Sequence, residues 1–485
     1  MKPIYPKQFT TPRPHHQPRR FGGLSFPRLG LVAVILSLIF VGPGFGQVAN
    51  NTLNNRIIVG YQGWFGAQGD GSTQNTFNHW LISRSGGRVT PAVDIWPAMG
   101  EYTKTYNLGS RLLRNNQAAK VFSSYDLETV QVHFKWMRDY GIDGAVTGRQ
   151  TKTIADGGAK KAFRDKVLRN VASASVTYGR VFYINYDISE EENNLASTNV
   201  NGNVFDRIKN DMDYWFGTNG FTTTQKARYV TINNKPVVRI FGVGSPRNKR
   251  TDGPWIFSAA QAKSKLDTLN NSYTVMLCVN KDWRTLPSGG NIRTDWTGND
   301  TQRNAARDVW KQAQYMQGWV VNSFGTTTAA DTYYQNTLVA DINWGKSQSP
   351  VVNVIPVIWP GFSWRNLKDA AYSYNQVPRG NGSFYWNNGY ESIKALKDRS
   401  APVKCVQVAM FDEIDEGTAI MKVQTVLNNT PKADAFSRLS DNTQATFITN
   451  VGGNNNESDY FLWLTQQLKS NLTRSGAPSS TMPTR

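Results

Sequence analysis

At 485 residues, with 39% hydrophobic and 18% charged side chains, the chain describes an ordinary globular protein of one to three domains with room for a sizeable core. Lys and Arg outnumber Asp and Glu by 54 to 35, but no Lys/Arg-rich run or nucleic-acid motif accompanies the excess, which argues against a nucleic-acid partner and for solubility or anionic glycans and surfaces. Four His, two of them before residue 20, are too few for a His-built metal site, and two Cys are too few for a disulfide framework. No metal and no cofactor is therefore expected.

The N-terminus reads as a leader. Residues 1–28 are Pro-rich and basic without an acid, 29–41 (LGLVAVILSLIFV) form an apolar run, and Pro43, Gly44 and Gly46 follow. This is the pattern of a secretory signal peptide over 1–47, shorter than a comfortable membrane span, with an uncleaved anchor as the alternative. Its removal leaves 48 basic residues against 35 acidic ones, or +13, on a secreted or periplasmic protein.

Short β-branched and aromatic runs then alternate with amphipathic stretches, the signature of repeated β/α units. The strands are expected at 57–61, 144–147, 181–186, 237–241, 274–279, 319–323, 354–358 and 406–411. A further apolar run, 93–96, has no helix-length segment before it and is assigned to a long loop over 62–125, together with Trp64, Phe65, His79 and Trp80. Helices are expected at 127–140, 159–176, 331–344 and 458–472. Eight units argue for an α/β fold of the (β/α)8 TIM-barrel type with long active-face loops, one domain over 48–472. A doubly wound sheet is the runner-up, but no Gly-x-Gly-x-x-Gly follows the first strand. Residues 473–485, rich in Ser, Thr and Pro, are expected to be a flexible tail. Cys278 and Cys405, each inside a strand-like apolar run, read as buried thiols.

In a barrel the residues just past each strand converge on one face. Those positions hold Tyr61, Gln62 and Trp64; Arg149 and Gln150; Asn185, Tyr186 and Asp187; Lys281, Asp282, Trp283 and Arg284; Asn322; Trp359, Phe362 and Trp364; and finally Glu413 and Glu416. Rings, amides and a carboxylate pair suit a carbohydrate, and no His–Ser or His–Cys pair stands among them for acyl transfer. Tyr61 and Trp64 either line a site or plug the barrel. Asp187 either faces a ligand or caps the next helix. Lys281, Asp282 and Arg284 are equally readable as surface ion pairs. The bent loop Trp359-Pro360-Gly361-Phe362-Ser363-Trp364 would expose three rings, which favours a partner for them. Substrate contacts are accordingly expected from Tyr61, Trp64, Tyr186, Asp187, Trp283, Trp359, Phe362 and Trp364.

The last strand runs straight into Asp412, Glu413, Asp415 and Glu416. On a helical turn Glu413 and Glu416 share one face with Cβ atoms about 5–6 Å apart, close to the roughly 5–5.5 Å between the carboxyls of retaining glycosidases. A solvated acidic loop face is the alternative.

Taken together, GYQGWF (60–65), VDIWPAMGEY (93–102), GIDGAVTGRQ (141–150), INYDIS (184–189), NKPVVRIFGVG (234–244), VIPVIWPGFSWRN (354–366) and FDEIDEGTAI (411–420) resemble bacterial secreted proteins of the glycoside hydrolase family 71/99-like group, some of them named xylosidase/arabinosidase. The resemblance implies a (β/α)8 barrel. Family 99 comprises endo-acting α-mannosidases and α-mannanases with a Glu-aromatic-x-Glu-Gly-Thr motif, to which Glu413-Ile414-Asp415-Glu416-Gly417-Thr418 corresponds except at Ile414. It further implies Glu413 as the base that deprotonates a sugar 2-hydroxyl, giving a 1,2-anhydro intermediate with retention, and Glu416 as the acid at the leaving oxygen. The expectation is a monomeric secreted glycosidase acting on a polysaccharide or glycan. A non-catalytic glycan-binding barrel, its acids structural or cation-binding, is the competing class.

Overall fold

The computed structural model describes residues 46–189, 204–248, 255–368, 375–432, 447–450, 452 and 456–485. The expected leader, 1–47, lies outside them except for its last two residues, and no helix among the described residues is long and apolar enough to cross a membrane.

Eight parallel strands form the centre: β1 (Arg56–Tyr61), β2 (Gly144–Gln150), β3 (Val181–Asp187), β4 (Lys235–Phe241), β5 (Thr274–Asn280), β6 (Tyr315–Trp319), β7 (Asn353–Val354 and Val357–Ile358) and β8 (Cys405–Val408). Each pairs with its neighbour in sequence order, and β1 also pairs with β8. The ring closes through β7, whose first half pairs with Tyr315 and Met316 and whose second half pairs with Gln407 and Val408. The two halves are separated by Ile355 and Pro356. Proline brings no N–H to a ladder, but its carbonyl accepts from Gln407 N at 2.9 Å, so the run continues across the break. Strands buried on both faces read as near-continuous apolar runs, as in TVMLCVN of β5. This is a (β/α)8 barrel.

Seven of the eight strands fall where the sequence places them. The sixth does not: β6 is Tyr315–Trp319, four residues before the expected 319–323. Gln317 hides it. Its buried amide crosses the barrel interior, accepting from Arg239 Nε on β4 at 2.5 Å and donating to Gln407 Oε1 on β8 at 2.8 Å. Asn322 consequently lies in a turn with φ +57, and Trp319 takes the strand-end position.

Of the helices, 127–140 appears as Leu127–Asp139, 159–176 as Gly158–Tyr178 and 458–472 as Tyr460–Thr473, while 331–344 sits within a longer run from Thr327 to Ser347 that includes a π-helical turn. The loop after β1 carries two antiparallel pairs, Leu81–Ser83 with Val89–Pro91 and Tyr106–Leu112 with Ala118–Val121. Residues beyond Thr473, expected as a free tail, are tied down. Lys397 Nζ donates to the carbonyls of Arg474 and Gly476, Trp386 Nε1 donates to Ser480 O at 2.9 Å, and Arg485 pairs with Glu457 and Asp459. Mostly backbone groups make these contacts, and composition does not reveal them. Cys278 and Cys405 are buried free thiols.

Candidate active site

The chain leaves β8 into the turn 412–418, which closes like the end of a helix. Thr418 N donates to Glu413 O at 3.2 Å across Gly417, whose φ is +70, so 413–416 form a single turn ended by a left-handed residue. Glu413 and Glu416, three apart, share its face.

Neighbouring loops hold the turn from every side. Gln62 N and Gly63 N from the end of β1 donate to the two oxygens of the buried Asp412 at 2.8 and 2.7 Å. Asp94 N from the long loop donates to Ile414 O at 3.2 Å, and Ser363 N from the loop after β7 donates to Glu416 O at 2.9 Å. Arg379 Nη1 donates to Gly417 O at 2.9 Å. Asp94 in turn accepts from Arg365 N and Asn366 N, so the 93–96 run ties the long loop to the β7 loop.

Glu413 is 3% exposed. Its Oε1 accepts from Gln62 Nε2 at 2.9 Å and its Oε2 from Thr418 Oγ1 at 3.0 Å. Burial, then the charges of Glu416 and Asp415, push its carboxyl well above the ordinary range, against those two donors. Glu416 is half-buried, and burial with the Asp415 charge pushes it up to about 7, against the Trp364 indole and Lys368. Burial also lifts Asp412 to about 6, against the backbone N–H groups of Gln62 and Gly63. Repulsion and burial therefore leave the pair sharing a proton near neutrality, the condition for one to act as acid while the other acts as base. Behind them Asp415 Oδ2 lies 2.8 Å from His79 Nδ1, and the His79 ring stacks on Trp64 at 4.0 Å.

Over the barrel mouth lies a pocket lined by Gln62 and Trp64 after β1, Arg149 and Gln150 of β2, Asn185 and Asp187 of β3, Arg239 and Phe241 of β4, Trp319 of β6, Gln407 and Met410 at β8, and Arg164. Gln62 links it to Glu413. Of the side chains expected to contact substrate, Trp64 and Asp187 line this cavity. Trp364 sits beside Glu416 and packs on Phe362 at 4.8 Å. The others are engaged in the core. Tyr61 is fully buried with its hydroxyl 2.9 Å from His133 Nδ1, and Tyr186 donates to Asp211 at 2.7 Å. Trp283 packs edge-on against Trp344, and Trp359 against Phe384; Phe362 is 2% exposed. Strand-end position alone did not separate rings that face the mouth from rings that face the helices. Lys281 with Asp282 and Arg284 with Asp341 are ion pairs. Arg164, Arg239 and Trp319 line the cavity without having been singled out. Arg239, a charge inside the apolar run PVVRIF, carried the one readable signal.

Among solved structures, the chain is similar to the GH99 endo-alpha-mannosidase of Bacteroides thetaiotaomicron, at 13% identity and a TM-score of 0.53, over 87% of this chain and 98% of that one. The same enzyme in complex with bis-tris-propane gives 12% identity and a TM-score of 0.51 over the same shares. The chain has the fold of these enzymes. No protein-family model and none of the curated proteins matches it.

Proposed function

We propose that the chain is a secreted glycosidase cleaving a polysaccharide or glycan, with Glu413 and Glu416 as its catalytic carboxylates. The observation that carries the reading is the pair itself: two glutamates with raised carboxyls on one turn at the barrel mouth, one of them bonded to the cavity-lining Gln62. In this reading Glu413 takes the proton of the sugar 2-hydroxyl, which then closes on the anomeric carbon as a 1,2-anhydro sugar. Glu416, the more open of the two, gives its proton to the leaving oxygen and afterwards takes one from water, so configuration is retained. Burial favours the proton on Glu413, so Glu413 must lose it before acting. Gln62 and Thr418 favour that charged form.

Glu413→Gln and Glu416→Gln, assayed separately on a panel of neutral and acidic glycans, test the assignment. Each is expected to lower kcat/KM at least about 10³-fold, and with an activated aryl glycoside, which needs no acid at the leaving group, Glu416→Gln should recover most of its rate. Unchanged hydrolysis in both variants would sink the assignment. Glycan binding by the unsubstituted protein without turnover would favour a binding barrel.

A further inference from the structure

The arginines that line the cavity are not equivalently paired. Arg149 gives Nε and Nη2 to Asp211 at 2.6 and 2.7 Å and lies 2.7 Å from Asp165, so acids match its charge. Arg164 gives Nη1 and Nη2 to the carbonyls of Gln62 and Gly148, both at 2.6 Å. Arg239, 3% exposed, gives Nε to Gln317 and Nη1 to Asn185, and its Nη2 is buried with no hydrogen-bond partner. All these partners of Arg164 and Arg239 are neutral. The Asp412 charge reaches Arg164 and offsets part of its burial, whereas Arg239 is held by amides, and a buried cation held by neutral groups costs several kcal/mol, a cost that a ligand carrying the missing charge reduces.

Among the described residues, the lining offers little competing negative charge. Its acid, Asp187, already accepts from Ser189 N at 2.8 Å and Ser189 Oγ at 2.6 Å. The nearby Glu413 and Glu416 are pushed upward, which lowers the negative charge they carry near neutrality. Around the guanidiniums the wall is amide, from Gln62 and Gln150, and aromatic, from Trp64 and Trp319, a surface suited to a sugar ring bearing one charged group. The basic excess of the whole chain acts in the same direction at long range.

We propose that the glycan bound in this cavity carries an anionic substituent, a uronate carboxylate or a sulfate ester, seated toward Arg239 and Arg164. The inference rests on the glycan reading of the site. Guanidinium groups bind either anion through charge-assisted N–H donors.

Calorimetric titration of the full-length Glu413→Gln protein with three tetrasaccharides, one neutral, one containing a hexuronate and one containing a sulfated hexose, reads binding without turnover. At least one anionic tetrasaccharide is expected to bind about tenfold or more tightly than the neutral one, with the gap shrinking as salt rises from about 0.05 to 0.5 M. Which of the two it is identifies the source of the charge. Adding Arg239→Gln should erase the preference. Should that variant fail to fold, Arg164→Gln, which loses donors to the carbonyls of Gln62 and Gly148, should reduce it. Neutral binding as tight as both anionic ligands, or a preference that survives both arginine variants, overturns the inference. Hydrolysis of neutral glycans without anionic preference would do so while leaving the glycosidase intact; anionic binding without hydrolysis by the unsubstituted protein would support the inference and remove the catalytic reading.

Discussion

At the scale of single residues, the site turns on what surrounds Glu413. A buried carboxylate can serve as a base only if donors stabilise its charge, and here there are two: the amide of Gln62 and the hydroxyl of Thr418. Thr418→Val keeps the shape and removes one of them. The Glu413 carboxyl, already above its ordinary range, should rise further, so the acid limb of the kcat/KM profile moves to higher pH. At pH 5 the rate should fall about tenfold, as expected for losing a hydrogen bond to a charged group, with KM little changed. An unmoved limb would mean that Thr418 supports only the backbone of the turn. The sequence made the acid pair and the Gly-Thr that follows it legible, because spacing along one turn is a local property. It did not reveal that Arg239, Arg164 and Trp319 share a cavity with Trp64, because that depends on which face of each strand turns inward. A single shift, four residues in β6, replaced Trp319 with Asn322.

At the scale of elements, one turn is clamped by the loops after β1 and β7, and Gly417 lies against the second of them. Its φ of +70 suits glycine, and a Cβ there would lie 2.8 Å from Ser363 N, the group that holds the Glu416 carbonyl. Gly417→Ala should therefore cost about 1–3 kcal/mol of stability from backbone strain and lower kcat by about 10²-fold through displacement of Glu416. Gly69→Ala is the control. It too has positive φ, but open space lies around its added methyl, so it should cost stability and leave kcat alone. Denaturant unfolding with steady-state kinetics on both variants checks the contrast; equal kcat losses would remove the clamp from the account. Seven of the barrel strands were legible because buried parallel strands are uniformly apolar. The long loop after β1 was legible only as an excess of chain. Its docking rests on the Asp94 carboxylate accepting backbone N–H groups of 365 and 366, a contact between distant segments that no local pattern encodes.

At the scale of the whole molecule, the buried carboxylates set how stability responds to pH. Burial pushes Asp94 and Asp341 up to about 7, Asp412 to about 6 and Glu416 to about 7, and raises Glu413 as well. Between about pH 4 and 7 the folded protein thus binds more protons at these groups than the unfolded chain, whose carboxyls titrate near 4. Stability then falls as pH rises through that window. The groups cost nothing below pH 4, where both states are protonated, and their full penalty is present above pH 7. The lowered carboxyls of Glu101, Asp213 and Asp459 act oppositely, but they lie nearer the surface, where screening weakens them. Replacing a penalised acid by its neutral amide should therefore stabilise the protein at high pH alone. Glu413→Gln/Glu416→Gln is expected to raise unfolding free energy by about 1–3 kcal/mol at pH 8, discounted for the partial exposure of Glu416, and by almost nothing at pH 4. Urea titrations of both proteins across that range give the difference directly. A gain independent of pH would mean the glutamines merely pack better; a loss at pH 8 would mean that the donors around the pair outweigh burial and that the carboxylates are held charged.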